Sequence, residues 1–331
     1  MELPPEAALQ DGRFTTEQAL AFGLSSKALA RAVREQLIDQ PVRGVYAALV
    51  DLGDPVAKHR AVVREAQLAA DERWYAARRS GALLMGLPLL GYPPAVPQLV
   101  RDGQQRGAHG RDRHARISPL PPADTWEYDG MDMCTPARIV VDIARRESFR
   151  SAVVVADGAL RRGVERADLE ACARRMPRWP GIAGARQAIT FADGRAEAPS
   201  ESLMRVACVR EQLPIPEPQV EVYLWGELLG RVDGMIREYL LALETDGAIK
   251  FEGKLVLPAL LTRQEDIRYA GVDVLRTNWA ETIKDTTLFG QRVRERLRER
   301  GRRPLPPGLE LRSTAVRPQA PLLGRADDLA A

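Results

Sequence analysis

Three strand-like runs lie close together in the C-terminal half of the chain, at residues 219–225, 228–236 and 239–245. Only two residues, Gly226-Glu227 and Arg237-Glu238, separate each run from the next. Such short connections join antiparallel neighbours, because parallel strands need a crossover of about a dozen residues. The runs therefore predict an antiparallel meander. Pro199 and Ser200 ahead of it predict the start of a helix, with Ser200 as its cap and Glu201 in its first turn.

Two acidic side chains of this meander are predicted to converge. If Ile236 faces Tyr239 across the second turn, Asp233 lies opposite Ala242. Glu244 is then the diagonal neighbour of Asp233 on the same face, about 7 to 8 Å away at the backbone. The apolar residues of the two strands point to the other face; they are Val232, Leu241 and Leu243. This pattern predicts carboxylates on the polar side of a sheet whose other side is apolar.

Convergent carboxylates repel each other, and a divalent cation, usually Mg²⁺, neutralises them. Asp246 has the same strand parity as the two acids, so it points to the same face. Lys250 follows shortly after, although the chain has only five lysines. Such an ion can activate water and stabilise charge on a phosphate. The alternative is that Asp233 and Glu244 are ordinary solvent-facing residues of an inactive scaffold.

The first fifty residues have the order helix, tight turn, helix, hairpin. Thr15-Thr16 offers a cap for a helix that Gly23 ends, and Ser25-Ser26 starts a second helix. Residues 37–46 alternate around a Pro/Gly turn, as a short hairpin does. The second helix has an apolar stripe of Leu29, Ala32 and Val33, and its outer face carries Lys27, Arg31 and Arg34.

This order, with Gly44-Val45-Tyr46-Ala47 closing the hairpin, resembles the N-terminal winged helix-turn-helix domain of abortive-infection-type antitoxins. Residues 80–92 and 134–144 are similar to the middle region of the same family. The resemblance implies binding to double-stranded DNA through the second helix and the wing. The implied DNA-binding residues are Ser25, Ser26, Lys27, Arg31, Arg34 and Arg43, the last of them on the wing. The alternative is a solvated surface on a protein-interaction module.

The C-terminal part resembles the PD-(D/E)XK nuclease superfamily, and within it the very-short-patch-repair-like endonucleases. The matching segments are Glu201, 230–233, 243–247 with Lys250, and 263–279. The resemblance implies Asp233 and Glu244 as ligands of Mg²⁺ or Mn²⁺, Glu201 as an accessory acid and Asp246 as a further ligand. The lysine of the superfamily motif would stand at position 246, where this chain has Asp. Lys250 is therefore the candidate for its catalytic role.

Composition restricts the remaining possibilities. The chain lacks an apolar run of about 18 residues and a basic-then-apolar leader, so we expect a cytoplasmic protein without membrane contact. A net charge of +3 over 331 residues is too small to indicate nucleic-acid binding by itself. Three widely spaced cysteines form neither a CxxC pair nor a disulfide framework. The Gly/Arg-rich stretch 101–116, with its two histidines, is typical of a solvated loop.

These observations predict an α/β multidomain protein: a winged helix-turn-helix (1–52), a mixed α/β middle domain (53–195), a restriction-endonuclease-like α/β/α domain (196–300) and a flexible tail (301–331). The preferred function is a DNA-binding protein with a Mg²⁺-dependent endonuclease domain, in a phage-defence or toxin-antitoxin setting. The alternative is a transcriptional repressor or antitoxin whose nuclease-like domain is inactive. A third possibility is a toxin-neutralising module without DNA contact. A toxin partner and a homodimer fit these hypotheses. The final helix, Leu288 to Arg300, is predicted to be exposed and stabilised by its own ion pairs.

Overall fold

The computed structural model describes residues 1–103, 106–109, 114–246 and 256–317; for 106–109, 246, 256–262 and 279 it describes the backbone only. The chain is a mixed α/β protein with three sheets in the described residues. It forms two compact units, one built on Met1–Ile143 and the other on Ala144–Pro321. No helix in the described ranges is both long and apolar enough to cross a membrane. The predicted domain boundaries stay predictions.

The first unit begins with a small helical module closed by a three-stranded sheet of order β1-β3-β2. Its elements are α1 (Glu6–Leu9), β1 (Arg13–Thr15), α2 (Thr16–Ala21), α3 (Ser26–Arg34), β2 (Ile38–Val42) and β3 (Val45–Ala48). Thr15 and Gln18 form a reciprocal capping box at α2. Ser25 caps α3 by accepting a hydrogen bond from the Ala28 N–H at 3.2 Å. The two helices and the hairpin therefore form where the sequence predicts them.

The rest of the first unit is a six-stranded sheet of order β6-β7-β5-β4-β9-β8 with three helices. The elements are α4 (Pro55–Leu68), β4 (Tyr75–Ala76), α5 (Arg78–Leu84), β5 (Gln98–Arg101), β6 (Arg106–His109), β7 (His114–Ile117), β8 (Thr125–Tyr128), β9 (Met131–Cys134) and α6 (Pro136–Ala144). The stretch 101–116 therefore contributes strands to a sheet, so its description as a loop is wrong. A buried ion pair between Arg13 and Glu65, at 3.2 Å, joins the helical module to α4.

The second unit contains seven helices and five strands among its described residues. They are α7 (Phe149–Arg161), α8 (Arg166–Arg174), α9 (Ile182–Phe191), α10 (Pro199–Arg210), β10 (Glu217–Leu224), β11 (Glu227–Ile236), β12 (Leu241–Asp246), α11 (Val256–Tyr269), β13 (Asp273–Asn278), α12 (Trp279–Ile283), α13 (Thr286–Arg300) and β14 (Leu309–Ser313). The strand order is β13-β12-β11-β10-β14. Strands β10, β11 and β12 form the predicted antiparallel meander, and β13 pairs with β12 in parallel.

The five-stranded sheet is apolar on both faces, which corrects the expectation of one polar side. On one face, Leu241 and Leu243 pack with Met204 of α10 and Phe289 of α13. The other face carries a second cluster, which contains Val232, Ala242 and Ile267. Helices therefore cover both sides of the sheet in an α/β/α arrangement. The periodicity alone could not show this, because a doubly covered strand is apolar throughout.

The turn between β11 and β12 is longer than the two residues predicted. Residues Arg237–Tyr239 form a 3₁₀ turn, and Leu240 is left-handed with φ +47°. Ile236 consequently pairs with Leu241 instead of facing Tyr239, as the observed ladder shows. The register shifts by two residues, so Asp233 and Glu244 become direct cross-strand neighbours when the ladder is extended by one pair.

Two further expectations for the C-terminal part are corrected. Helix α13 is not an exposed helix, since Phe289, Val293 and Leu297 are buried in the core. These three residues form an apolar stripe at helical spacing, which the many charged residues between them made hard to recognise in the sequence. Within the segment predicted to be a flexible tail, β14 pairs with β10 along five residues. Short proline-flanked strands carry little periodicity, which is why composition indicated a tail there.

A buried polar cluster fixes α10 against the helices of the same unit. The Asp157 carboxylate accepts hydrogen bonds from Ser202 Oγ at 2.7 Å and from the Asp193 N–H at 2.7 Å. Arg205 Nη1 lies 3.2 Å from the same carboxylate. Burial nevertheless raises the pKa of Asp157 to about 6. This cluster holds the helix that carries Glu201.

Candidate functional site

The first candidate surface is the exposed face of α3. Leu29 and Ala32 are fully buried against the module core, so the opposite side of the helix faces solvent. Lys27, Arg31 and Arg34 lie at i, i+4 and i+7 on that side, and all are exposed. With Ser26 at the start of the helix, four of the six predicted DNA-binding residues thus lie on this face or at its beginning.

The two remaining predicted DNA-binding residues lie at the ends of neighbouring elements. Ser25 is exposed, and its hydroxyl caps α3 by accepting the Ala28 N–H. Arg43 is exposed in the turn between β2 and β3, next to Gly44 at φ +83°. Arg31 forms an i, i+4 ion pair with Glu35 at 2.7 Å, and both side chains are largely exposed. Ion pairs of this kind exchange readily, because water screens them.

The second candidate site lies where β11 and β12 stop pairing. The ladder between them ends at Gly234 and Leu243. Beyond it, the Asp233 carboxylate accepts the Thr245 backbone N–H at 2.9 Å and the Thr245 hydroxyl at 3.3 Å. The Thr245 hydroxyl also lies 3.1 Å from the hydroxyl of Ser200 on α10. Ser200 is therefore a residue of this site and not the helix cap that the sequence predicts, since the cap position is Ala198.

A left-handed residue in β10 directs a polar side chain into the same place. Gln219 has φ +54° and lies between the pairs Pro218–Gly234 and Val220–Val232, so the ladder skips it. Its buried amide donates a hydrogen bond to Glu201 Oε2 at 2.8 Å. A non-glycine residue in the left-handed region costs roughly 1 kcal/mol or more. The chain holds this conformation at the strand position facing Asp233.

Three of the predicted acids are brought together here. Glu201 is 4% exposed, and burial followed by the nearby charge of Asp233 raises the pKa of Glu201 to about 7. The pKa of Asp233 is also raised, by burial and by the charge of Glu244, although the Thr245 hydrogen bonds oppose this rise. The carboxylates thus disfavour each other's ionisation, as groups in one site do.

Glu244 is 7% exposed, and both of its oxygens have partners on α11. Arg263 Nη2 donates to Glu244 Oε1 at 2.8 Å, and Gln264 Nε2 donates to Glu244 Oε2 at 2.9 Å. The stem of Arg263 lies over Gly230, where an added Cβ would come within 2.9 Å of Arg263 Cδ. The absent side chain at 230 therefore makes room for this arginine.

The donor set suits a hard cation, because Mg²⁺ and Mn²⁺ prefer carboxylate oxygens. Among the residues described with side chains, however, no three His, Cys, Asp or Glu are placed to hold one ion. A cation at Glu244 would compete with Arg263 for Oε1. Asp246 lies in β12 beside Asn278, without a described side chain. Lys250 lies outside the described residues.

Sequence reasoning missed the residues that surround the acids: Gly230, Gln219, Thr245, Arg263 and Gln264. Of these, Gly230 offered the one local signal, since a glycine within a strand indicates a close approach. The others approach the acids from separate elements, which a single sequence does not bring together.

Comparisons with known proteins support part of this description. Residues 1–48 match the family model described as a transcriptional regulator, AbiEi antitoxin. Two curated proteins of Mycobacterium tuberculosis, MT2308 (strain CDC 1551 / Oshkosh) and Rv2248 (strain ATCC 25618 / H37Rv), are each 34% identical over 140 residues. The match covers 42% of this chain and 50% of each relative, and both relatives are described as uncharacterized. The chain thus spans about half the length of the curated relatives it matches.

Proposed function

We propose that the protein is a DNA-binding transcriptional regulator of the antitoxin type, with a protein toxin as partner. The match of residues 1–48 to the AbiEi antitoxin regulators supports this proposal. The observation that carries it is the basic outer face of α3, where Lys27, Arg31 and Arg34 are exposed opposite a buried apolar stripe. Helix α3 would enter the major groove with Arg31 against a backbone phosphate, and Arg43 would contact phosphate from the wing.

Fluorescence anisotropy with duplexes from the protein's own promoter tests this proposal. Removal of one phosphate contact lowers the salt dependence of binding, log Kobs against log[salt], by about one unit. We expect this for Arg31→Ala. Arg174→Ala is the matched control, because Arg174 is exposed to the same degree (66% against 69%) and has an i, i+4 partner, Glu170. Equal salt slopes for the wild type and both variants would contradict the proposed interface.

A second candidate function is Mg²⁺-dependent hydrolysis of a phosphodiester in the second unit. The convergence of Glu201, Asp233 and Glu244 at the point where β11 and β12 separate favours it. Asp233 and Glu244 would hold the ion, with Asp246 as a further ligand. The bound ion would activate water and counter the charge that develops on the phosphate. Glu201, with its raised pKa, would hold a proton near neutral pH.

Incubation of purified protein with plasmid and duplex DNA in Mg²⁺ or Mn²⁺ tests hydrolysis. We expect nicking that Asp233→Asn and Glu244→Gln abolish while the DNA affinity measured in EDTA is unchanged. Glu221→Gln is the control, because Glu221 is a half-buried acid on β10, an adjacent strand of the same sheet. Absence of cutting by the wild type, or cutting by both variants, leaves the regulator alone as the function.

A further inference from the structure

Arg263 compensates the charge of Glu244 that a divalent cation would otherwise compensate. Its guanidinium donates to Glu244 Oε1 at 2.8 Å, and its side chain is 35% exposed. The guanidinium and a divalent ion compensate the same negative charge, so they compete for the same oxygen. Gln264, on the other oxygen, is neutral and has no such effect on the charge.

The position of Arg263 is built into the fold. Its Cγ and Cδ lie where any side chain at 230 would stand, so β11 provides a groove for the arginine stem. Its Nε is buried and has no hydrogen-bond partner among the described residues. Because 35% of the Arg263 side chain is exposed, a second partner that carries acceptor oxygens can also reach this side chain. Phosphate oxygens fit the planar fork of an arginine better than any neutral group.

We propose that Arg263 keeps Glu244 from binding a divalent cation until a phosphodiester of a nucleic acid takes the guanidinium. This inference rests on the second candidate function and adds its order of assembly. In the free protein, the Arg263–Glu244 pair closes the site. When a backbone phosphate binds Arg263, Glu244 is released for the ion. Metal and nucleic acid therefore bind cooperatively, and each tightens the other by the same factor.

Titration calorimetry of the full chain with Mn²⁺, in the absence of DNA, measures the metal affinity of the site while Arg263 is paired with Glu244. We expect Arg263→Gln to bind Mn²⁺ about tenfold more tightly than the wild type, because its competitor is gone. Arg268→Gln is the control: Arg268 lies on the same helix and donates to the Val274 carbonyl at 3.3 Å, away from the acids. The double variant Glu244→Gln with Arg263→Gln should not show this tighter Mn²⁺ binding.

Gly230→Ala provides a second variant in which Arg263 is retained. Its Cβ would come within 2.9 Å of Arg263 Cδ and displace the stem, so we expect tighter Mn²⁺ binding here too. A further titration with Ca²⁺ adds a short random-sequence duplex. The duplex should tighten Ca²⁺ binding to the wild type by about tenfold. It should leave the Ca²⁺ affinity of Arg263→Gln unchanged.

The outcomes separate this inference from the function on which it rests. Tighter binding to Arg263→Gln and Gly230→Ala, with a duplex effect only in the wild type, supports it. Equal Mn²⁺ affinity for the wild type and Arg263→Gln overturns the role of Arg263 and leaves the metal site in place. If no variant binds Mn²⁺ in a manner that depends on Glu244, the metal site and this inference both fail.

Discussion

Substitution of Glu201 by glutamine should change the pH dependence of stability in the second unit. Burial and the charge of Asp233 raise the pKa of Glu201 from 4.5 to about 7. Ionisation of Glu201 is therefore less favourable in the folded chain than in the unfolded chain. A tenfold change in an equilibrium is about 1.4 kcal/mol, so the difference amounts to about 3 kcal/mol. Because Glu201 is almost fully buried, solvent screening reduces this little.

The sign follows from the direction of the pKa change. Below pH 4.5 the carboxyl is protonated in both states, and the favourable contribution is fully present. It is lost as the pH rises through about 7, where the folded chain must ionise a buried acid. Of the total, about 2 to 3 kcal/mol falls between about pH 5 and about pH 8. Glu201→Gln keeps an oxygen that accepts from Gln219 and the Glu197 N–H, so it should not show this loss.

Hydrogen exchange of the α10 amides in EDTA provides the assay, because it reports the opening of this unit separately from the rest of the chain. The wild type should lose about 2 to 3 kcal/mol of protection relative to Glu201→Gln between about pH 5 and about pH 8. Asp157, whose pKa is about 6, titrates in both proteins and cancels in the difference. Exposed Glu170→Gln is the control. Parallel pH curves for the wild type and Glu201→Gln would refute the reasoning.

Three further substitutions test the packing that positions the two sites. Ser25→Ala should lower the free energy of unfolding of the N-terminal module by about 1 kcal/mol in urea denaturation, and Ser26→Ala should not, because only the Ser25 hydroxyl caps α3. Arg205→Ala should cost about 3 kcal/mol or more in the same assay, since it leaves Asp157 buried without its ion-pair partner. Phe289→Ala should cost about 3 to 5 kcal/mol by opening a cavity under α13, whereas substitution of its exposed neighbour Leu288 should cost little.

Local signals predicted the parts of the fold that local chemistry determines. The caps Thr15 and Ser25 define the starts of α2 and α3, because a hydroxyl there satisfies a free N–H. The two-residue spacing of the strand runs predicted the meander. Its register was wrong by two residues, since the left-handed Leu240 and the 3₁₀ turn before it carry no sequence signal of their own.

Contacts between separate secondary-structure elements determine the rest of the candidate site. That Asp233 and Glu244 share a region could be predicted from strand parity, and a shift of two residues preserved it. The left-handed conformation of Gln219 and the position of Arg263 over Gly230 depend on how three separate elements pack. Strand periodicity predicts neither feature. The second apolar face was missed for the same reason, because α11 covers it from outside the meander.

Stability alone does not explain the acids at the end of the β11–β12 ladder. Next to them, Met235 and Ala242 pair across the same two strands with apolar side chains only. A buried ion pair is often no more stable than well-packed apolar residues in its place, because desolvation offsets the attraction. At this point the chain instead holds Glu201 at a raised pKa, an interrupted ladder and a left-handed Gln219. Three unfavourable features at one position are typical of a functional site, and they support the proposal that a phosphate and a divalent cation bind here.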